Sequence, residues 1–188
     1  MLSINNVEFS YSGQPLFSDL NLKLNQGEFT FLIGKSGAGK STLLQLVYMN
    51  IKPDAGNIQF DEFDSTSIRA RQLPFLRRKL GIIFQDFKLL KDRNIYDNVA
   101  FVLEVLNTPS KEIKRRVNDA LSDVGLLHRR KSMPSEISGG EKQRVAIARA
   151  MVNEPSLILA DEPTGNLDPE TSMEIVEILK KINQKGTA

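Results

Sequence analysis

At 188 residues the chain is the size of one domain, long enough to bury a core without staples, and its 40% hydrophobic and 26% charged residues are those of a folded globular protein. It has no cysteine and one histidine, His128, which excludes disulfides and thiol sites and leaves little for histidine-based catalysis or metal binding. With 25 basic against 23 acidic residues the net charge is +2, too balanced to drive binding to nucleic acid or lipid.

Three β-type segments open the chain: Leu2 to Phe9, Leu20 to Leu24 and Glu28 to Ile33. The last is a continuous apolar run and reads as a strand buried on both faces. It enters a glycine-rich loop, residues 34–41, and then a helix from Thr42 to Met49 with Leu43, Leu44, Leu46 and Val47 at helical spacing. A turn at Lys52-Pro53-Asp54-Ala55-Gly56 precedes a short strand, Asn57 to Phe60. The run Ile82 to Phe84 ends at Gln85-Asp86, and from about Asp97 to Val124 the pattern is helical with a break at Thr108-Pro109-Ser110. A helix from Gly139 to Asn153, a buried strand from Leu157 to Ala160 and an amphipathic helix from Glu170 to Gln184 follow. No apolar run approaches the ~20 residues needed to cross a bilayer, and Met-Leu-Ser-Ile-Asn-Asn lacks the regions of a signal peptide, so a cytoplasmic location is expected.

Residues 34–41 match G-x-x-x-x-G-K-[ST] at every position; a chance match in a chain this long is on the order of one in a hundred, and the place between a strand and a helix lowers that further. Gly34, Gly37 and Gly39 let the backbone curl so that successive N–H groups face phosphate oxygens, and the helix start adds its dipole. Lys40 has the reach for β- and γ-phosphate oxygens, and Ser41 can offer its hydroxyl to Mg²⁺. Asp161, after the apolar Leu157 to Ala160, is the natural metal partner, and Glu162 is placed to accept a proton from an attacking water. Ser138-Gly139-Gly140-Glu141 fits a helix-capping box, but its paired glycines point further, to close approach of backbone to a phosphate. Tyr11 and Gln85 carry little alone, and Arg77-Arg78-Lys79, Lys114-Arg115-Arg116 and Arg129-Arg130-Lys131 read as solvated faces. Phe87, Leu89, Leu90 and Ile95 follow Gln85 without a clean period, so part of this stretch is expected to form a partner-binding groove.

Taken in order, these residues resemble the ATP-binding-cassette ATPases across essentially the whole chain: an aromatic at Tyr11, the Walker A loop at 34–41, the Q-loop at Gln85, the signature at 137–141, Walker B at 157–162 and the D-loop at Asn166-Leu167-Asp168. The signature departs from L-S-G-G-Q at Ile137 and Glu141 and keeps its Ser-Gly-Gly core. The resemblance implies an α/β P-loop NTPase with a RecA-like core, an N-terminal antiparallel β subdomain and an α-helical insert at about 86–153, in one domain spanning 1–188. It implies ATP hydrolysis with Mg²⁺, Tyr11 stacked on adenine, and Gly34, Lys35, Ser36, Gly37, Ala38, Gly39, Lys40, Ser41 and Thr42 around the phosphates. Ser138, Gly139, Gly140 and Glu141 would meet a second nucleotide in a homodimer that sandwiches two ATP molecules. Glu162, Lys40 and Gln85 would serve catalysis, with Ser41, Gln85 and Asp161 around the metal.

Within the family, Leu73-Pro74-Phe75-Leu76-Arg77-Arg78, Phe84-Gln85-Asp86-Phe87-Lys88-Leu89-Leu90 and Asn94-Ile95-Tyr96-Asp97-Asn98-Val99-Ala100 are most similar to the bacterial cell-division branch. That implies a polytopic membrane partner, a place on the inner face of the cell membrane, control of cell-wall hydrolysis, and no nucleic-acid partner. An exporter ATPase of the lipoprotein-releasing or macrolide type is the alternative, and a nucleotide-gated clamp on nucleic acid or ribosomes the remote one. The family's switch histidine follows a further strand, and His128 precedes Walker B, so weak turnover is expected of residues 1–188.

Overall fold

The computed structural model describes all 188 residues and divides into two compact units, Met1–Arg78 with Gly186–Ala188, and Lys79–Lys185.

In the first unit β1 (Leu2–Tyr11), β2 (Gln14–Leu24), β3 (Ala55–Phe60) and β4 (Phe63–Asp64) form an antiparallel sheet in the order β2-β1-β3-β4. Leu2 pairs with Leu24 on one side and Phe60 on the other, and Ile4 with Leu22 and Ile58. Strict alternation would carry the buried set of β1 from Ile4 to Asn6, which would bury an amide. Instead the register shifts between Ile4 and Val7, Asn6 turns left-handed at φ 47°, and Val7 and Phe9 face the core. The side chains of Asn21 and Asp19 take the bonds the ladder loses, accepting from the Asn6 N–H at 2.9 Å and from its amide nitrogen at 2.6 Å. Helix α1 (Lys40–Val47) lies against β3 and buries Thr42, Leu43, Leu46 and Val47. A short helix, α2 (Leu73–Arg78), ends the unit with Arg77 donating to the Tyr48 and Met49 carbonyls beyond α1.

One expectation fails here. The run Glu28 to Ile33 forms no strand; it belongs to neither sheet, and Phe31 is 63% and Ile33 91% exposed. A strand buried on both faces needs ladder partners and cover, and the sheet of this unit is built without it. β propensity in an apolar run does not supply pairing.

The second unit holds β5 (Leu80–Ile83) and β6 (Leu157–Ala160), paired in parallel from Leu80 opposite Leu157 to Ile83 opposite Ala160. Its helices are α3 (Ile95–Val105), α4 (Ser110–Asp123), α5 (Gly139–Met151) and α6 (Pro169–Gln184). One core joins them: Val99 and Leu103, Val117 and Leu121, Val145 and Ile147, and Ile175 and Leu179 pack with Ile83. The apolar spacing along each helix dictates this, with the stripe turned inward. Of the four apolar residues after Gln85, Ile95 is fully buried and Leu89 packs on the same core, so neither is available to a partner; Phe87 and Leu90 remain half-exposed.

Candidate functional site

In the first unit, residues 36–39 form a turn and a bend, with the Ala38 N–H on the Lys35 carbonyl at 3.1 Å, and deliver the chain into α1 at Gly39. Gly39 has φ 90°, and a Cβ there would lie 2.7 Å from Phe17 Cζ, so both the conformation and the close approach require glycine. Helix α1 has no side-chain cap and no acidic residue in its first turn. Its N-terminal dipole is left uncompensated by any such group, a setting that favours an anion. Lys40 folds back over the loop, its Nζ donating to the Gly34 carbonyl at 3.1 Å and the Lys35 carbonyl at 3.2 Å. This closes the loop and holds a positive charge at the helix start. Tyr11 stands beside it: its hydroxyl is 3.5 Å from Thr42 Oγ1, its ring meets Phe9 edge-on at 4.9 Å, and it is 49% exposed, leaving an aromatic surface open. Tyr11 and residues 34–42 thus come together as one constellation.

In the second unit the carboxyl ends of the parallel strands carry the other candidates. The Asp161 N–H continues the ladder to the Ile83 carbonyl at 2.9 Å, which puts Asp161 and Glu162 beside the exit toward Gln85. Glu162 is left-handed at φ 43°, a strained conformation for glutamate. The Gly165 N–H closes a turn onto its carbonyl at 3.0 Å. A Cβ at Gly165 would sit 3.2 Å from Gln85 Nε2, and Asn166 Nδ2 donates to the Gln85 carbonyl at 3.2 Å. Gln85, Glu162, Gly165 and Asn166 are therefore neighbours.

The capping box at the start of α5 forms as the sequence suggests: the Glu141 N–H donates to Ser138 Oγ at 3.2 Å and the Ser138 N–H to Glu141 Oε2 at 2.8 Å. The Ser138 N–H, chiefly, holds the Glu141 carboxyl below the usual glutamate range, with Arg129 at 3.8 Å adding to it. The glycine at position 140 also meets a demand from within the chain. A Cβ on Gly140 would fall 2.5 Å from Thr171 Cγ2, so packing within the chain demands that glycine, while a Cβ on Gly139 would meet Leu167 Cδ2 at an ordinary 3.5 Å. Thr171 is fixed in turn by Asp168, which caps α6 by accepting from the Thr171 N–H at 2.9 Å and its hydroxyl at 2.7 Å. Sequence reasoning missed Thr171; the signal was Asp168-Pro169, an N-cap with proline at the first helical position. Gly140→Ala should lower stability by about 1–3 kcal/mol, because Thr171 cannot rotate away without breaking its cap. Adding Thr171→Ser, which removes only the methyl, should restore most of it in urea denaturation.

A family model described as ABC transporter matches residues 17–165. The cell division ATP-binding protein FtsE of Mycobacterium tuberculosis is 48% identical, the match covering 100% of this chain and 82% of that protein. The FtsE of Escherichia coli K12 is 46% identical, covering 99% and 84%. Among solved structures, the dimeric ATP-binding cassette MJ0796 in a post-hydrolysis state with ADP and Pi superposes at TM-score 0.87 and 33% identity, covering 100% of this chain and 85% of that one. CbiO1 of Clostridium perfringens, part of the ABC transporter complex cbiONQ, superposes at TM-score 0.91 and 33% identity, covering 99% and 74%.

Proposed function

The chain belongs to the ABC-transporter family of ATPases, with FtsE-type relatives along its whole length, and from that premise we propose how its residues bind and hydrolyse ATP in the service of cell division. The reaction is ATP plus water to ADP plus phosphate. The observation that carries it is the uncapped start of α1, wrapped by residues 34–39 and crossed by Lys40. Backbone N–H groups of that loop hold the phosphates, Lys40 supplies formal charge, and Tyr11 stacks on the adenine. Ser41, Gln85 and Asp161 offer hydroxyl, amide and carboxylate oxygens, a donor set that suits Mg²⁺ completed by water and phosphate oxygens. When bound, that ion neutralises charge developing on the phosphates. Glu162 takes a proton from the attacking water, and Gln85 orients the water. The Ser138 end of α5 from a second copy covers the γ-phosphate, so the working unit is a homodimer around two ATP molecules. Support for that pairing comes from MJ0796, whose cassette is dimeric with ADP and Pi.

No helix of this chain is long and apolar enough to cross a membrane. We infer that it works at the inner face of the cell membrane through an integral partner of the FtsX type, passing ATP turnover to the control of cell-wall hydrolysis. Half-exposed Phe87 and Leu90 beside Gln85 supply the apolar part of that contact. The test is capture of purified FtsX in detergent by this protein. Leu90→Glu should abolish capture and leave Mg-ATP affinity intact; loss of both together would assign Leu90 to the core instead.

A further inference from the structure

We propose that Arg149 is a positioning residue for Gln85: from α5 it fastens the backbone turn after Gln85 and ties that turn to the helix that Ser138 caps. The inference rests on the ATPase reading above, in which Gln85 orients the water.

Arg149 is half-buried, and its fork meets two successive carbonyls, Nη1 donating to Lys88 O at 2.6 Å and Nη2 to Phe87 O at 2.7 Å. A solvated surface arginine does not make such a pair. The carbonyls belong to residues that resist the shape they hold: Phe87 has φ 60° and Lys88 φ 47°, two consecutive left-handed residues with side chains. Local bonds draw the turn tight, from the Phe87 N–H to Phe84 O at 3.1 Å and from the Lys88 N–H to Asp86 O at 2.6 Å, and Lys88 pairs with Asp86 at 2.7 Å. A planar guanidinium that accepts only one spacing and direction of carbonyls is the group that selects this arrangement. Burial disfavours its charge, so the two bonds also serve the arginine itself.

The neighbouring backbone is fastened as well. Asn98, fully buried on α3, accepts from the Leu90 N–H at 2.7 Å, and its Nδ2 lies 2.9–3.0 Å from the carbonyls of Leu90, Arg93 and Asn94. Asn166 holds the Gln85 carbonyl at 3.2 Å. Between these two anchors, Arg149 is the link to α5, and it stands about 16 Å along the helix from Ser138 at ~1.5 Å per residue. A shift of the α5 start therefore moves the Gln85 turn as one piece with it. Nothing in the sequence set Arg149 apart from the surrounding basic residues.

The test uses the purified protein with Arg149→Met and Arg149→Lys. Amide hydrogen exchange across residues 85–90 should accelerate about tenfold or more in Arg149→Met. Its kcat should fall about tenfold or more, as expected when a catalytic group is misplaced, while KM for Mg-ATP stays within about threefold. Arg149→Lys should recover part of the loss, since an ammonium supplies charge without the fork. Adding Lys88→Gly to Arg149→Lys should raise kcat again, because glycine adopts the left-handed turn without strain; a general loss of folding would gain nothing from that change. Faster exchange with unchanged kcat overturns the proposal, and so does a fall in kcat with unchanged exchange. If Arg149→Met does not fold, the comparison of Arg149→Lys with and without Lys88→Gly decides, and no recovery overturns it. Absence of turnover in the unaltered protein would instead sink the ATPase reading, while the exchange measurement would still report on the clamp.

Discussion

Glu162→Gln should reduce steady-state phosphate release by about 10²–10⁴-fold, the range for loss of a general base, while Mg-ATP binding is retained. The substitution keeps the size and hydrogen-bonding reach of the side chain and removes its capacity to take the water's proton. Two structural facts make Glu162 the group to test. It follows β6 in a left-handed conformation, φ 43°, and it lies beside Gln85 across Gly165. Strain of this kind persists where surrounding contacts over-determine it, here the Gly165 N–H on the Glu162 carbonyl and Asn166 on Gln85. With hydrolysis blocked, ATP should hold two copies together, since the event that releases the sandwich no longer occurs. Sedimentation with saturating ATP should then show dimer for Glu162→Gln and monomer in exchange for the parent. Turnover within threefold of the parent would remove Glu162 from the chemistry.

How far the sequence reached follows from the range of the interactions involved. The glycine loop, the capping box at Ser138 and Glu141, and the helices between Ile95 and Gln184 were legible because their determinants lie within a few residues of one another: a glycine where φ is positive, an acceptor three residues before a donor, a stripe at helical spacing. The strand expected at Glu28 to Ile33 was not, because its apolar character is local and its pairing is not. Gly140 shows the same division more finely. Its identity is visible in the sequence, but one reason for it, the methyl of Thr171, lies on another helix and is not. Arg149 and Asn98 were invisible as devices for this cause too, since each acts on backbone groups of a loop that the sequence does not announce as strained.

Lys40→Ala should weaken Mg-ATP binding by about ten- to a hundredfold, the equivalent of the ~1.5–3 kcal/mol that a hydrogen bond to a charged group contributes. The position of the ammonium argues for this size. Lys40 Nζ rests on the Gly34 and Lys35 carbonyls, so the charge is already delivered to the mouth of the loop and little side-chain freedom remains to be lost when phosphate arrives. In the unliganded protein the substitution has opposing effects. A cation in the first turn of α1 opposes the helix dipole, a penalty of about 0.3–1 kcal/mol, and alanine is the better helix former. Against this stands the loss of the contacts of the ammonium, its bonds to the Gly34 and Lys35 carbonyls among them. Saturating Mg-ATP should therefore raise the melting temperature of the parent more than that of Lys40→Ala, because the parent gains more from ligand linkage. Lys40→Arg separates charge from shape: it keeps the charge but not the compact ammonium that fits between two carbonyls, and should fall between the two. Calorimetric titration with Mg-ATP and melting curves with and without it make the comparison. Parent-like affinity in Lys40→Ala would mean that residues 34–41 are not where ATP binds, and a large drop in the unliganded melting temperature would mean that Lys40 is there for the loop rather than for phosphate.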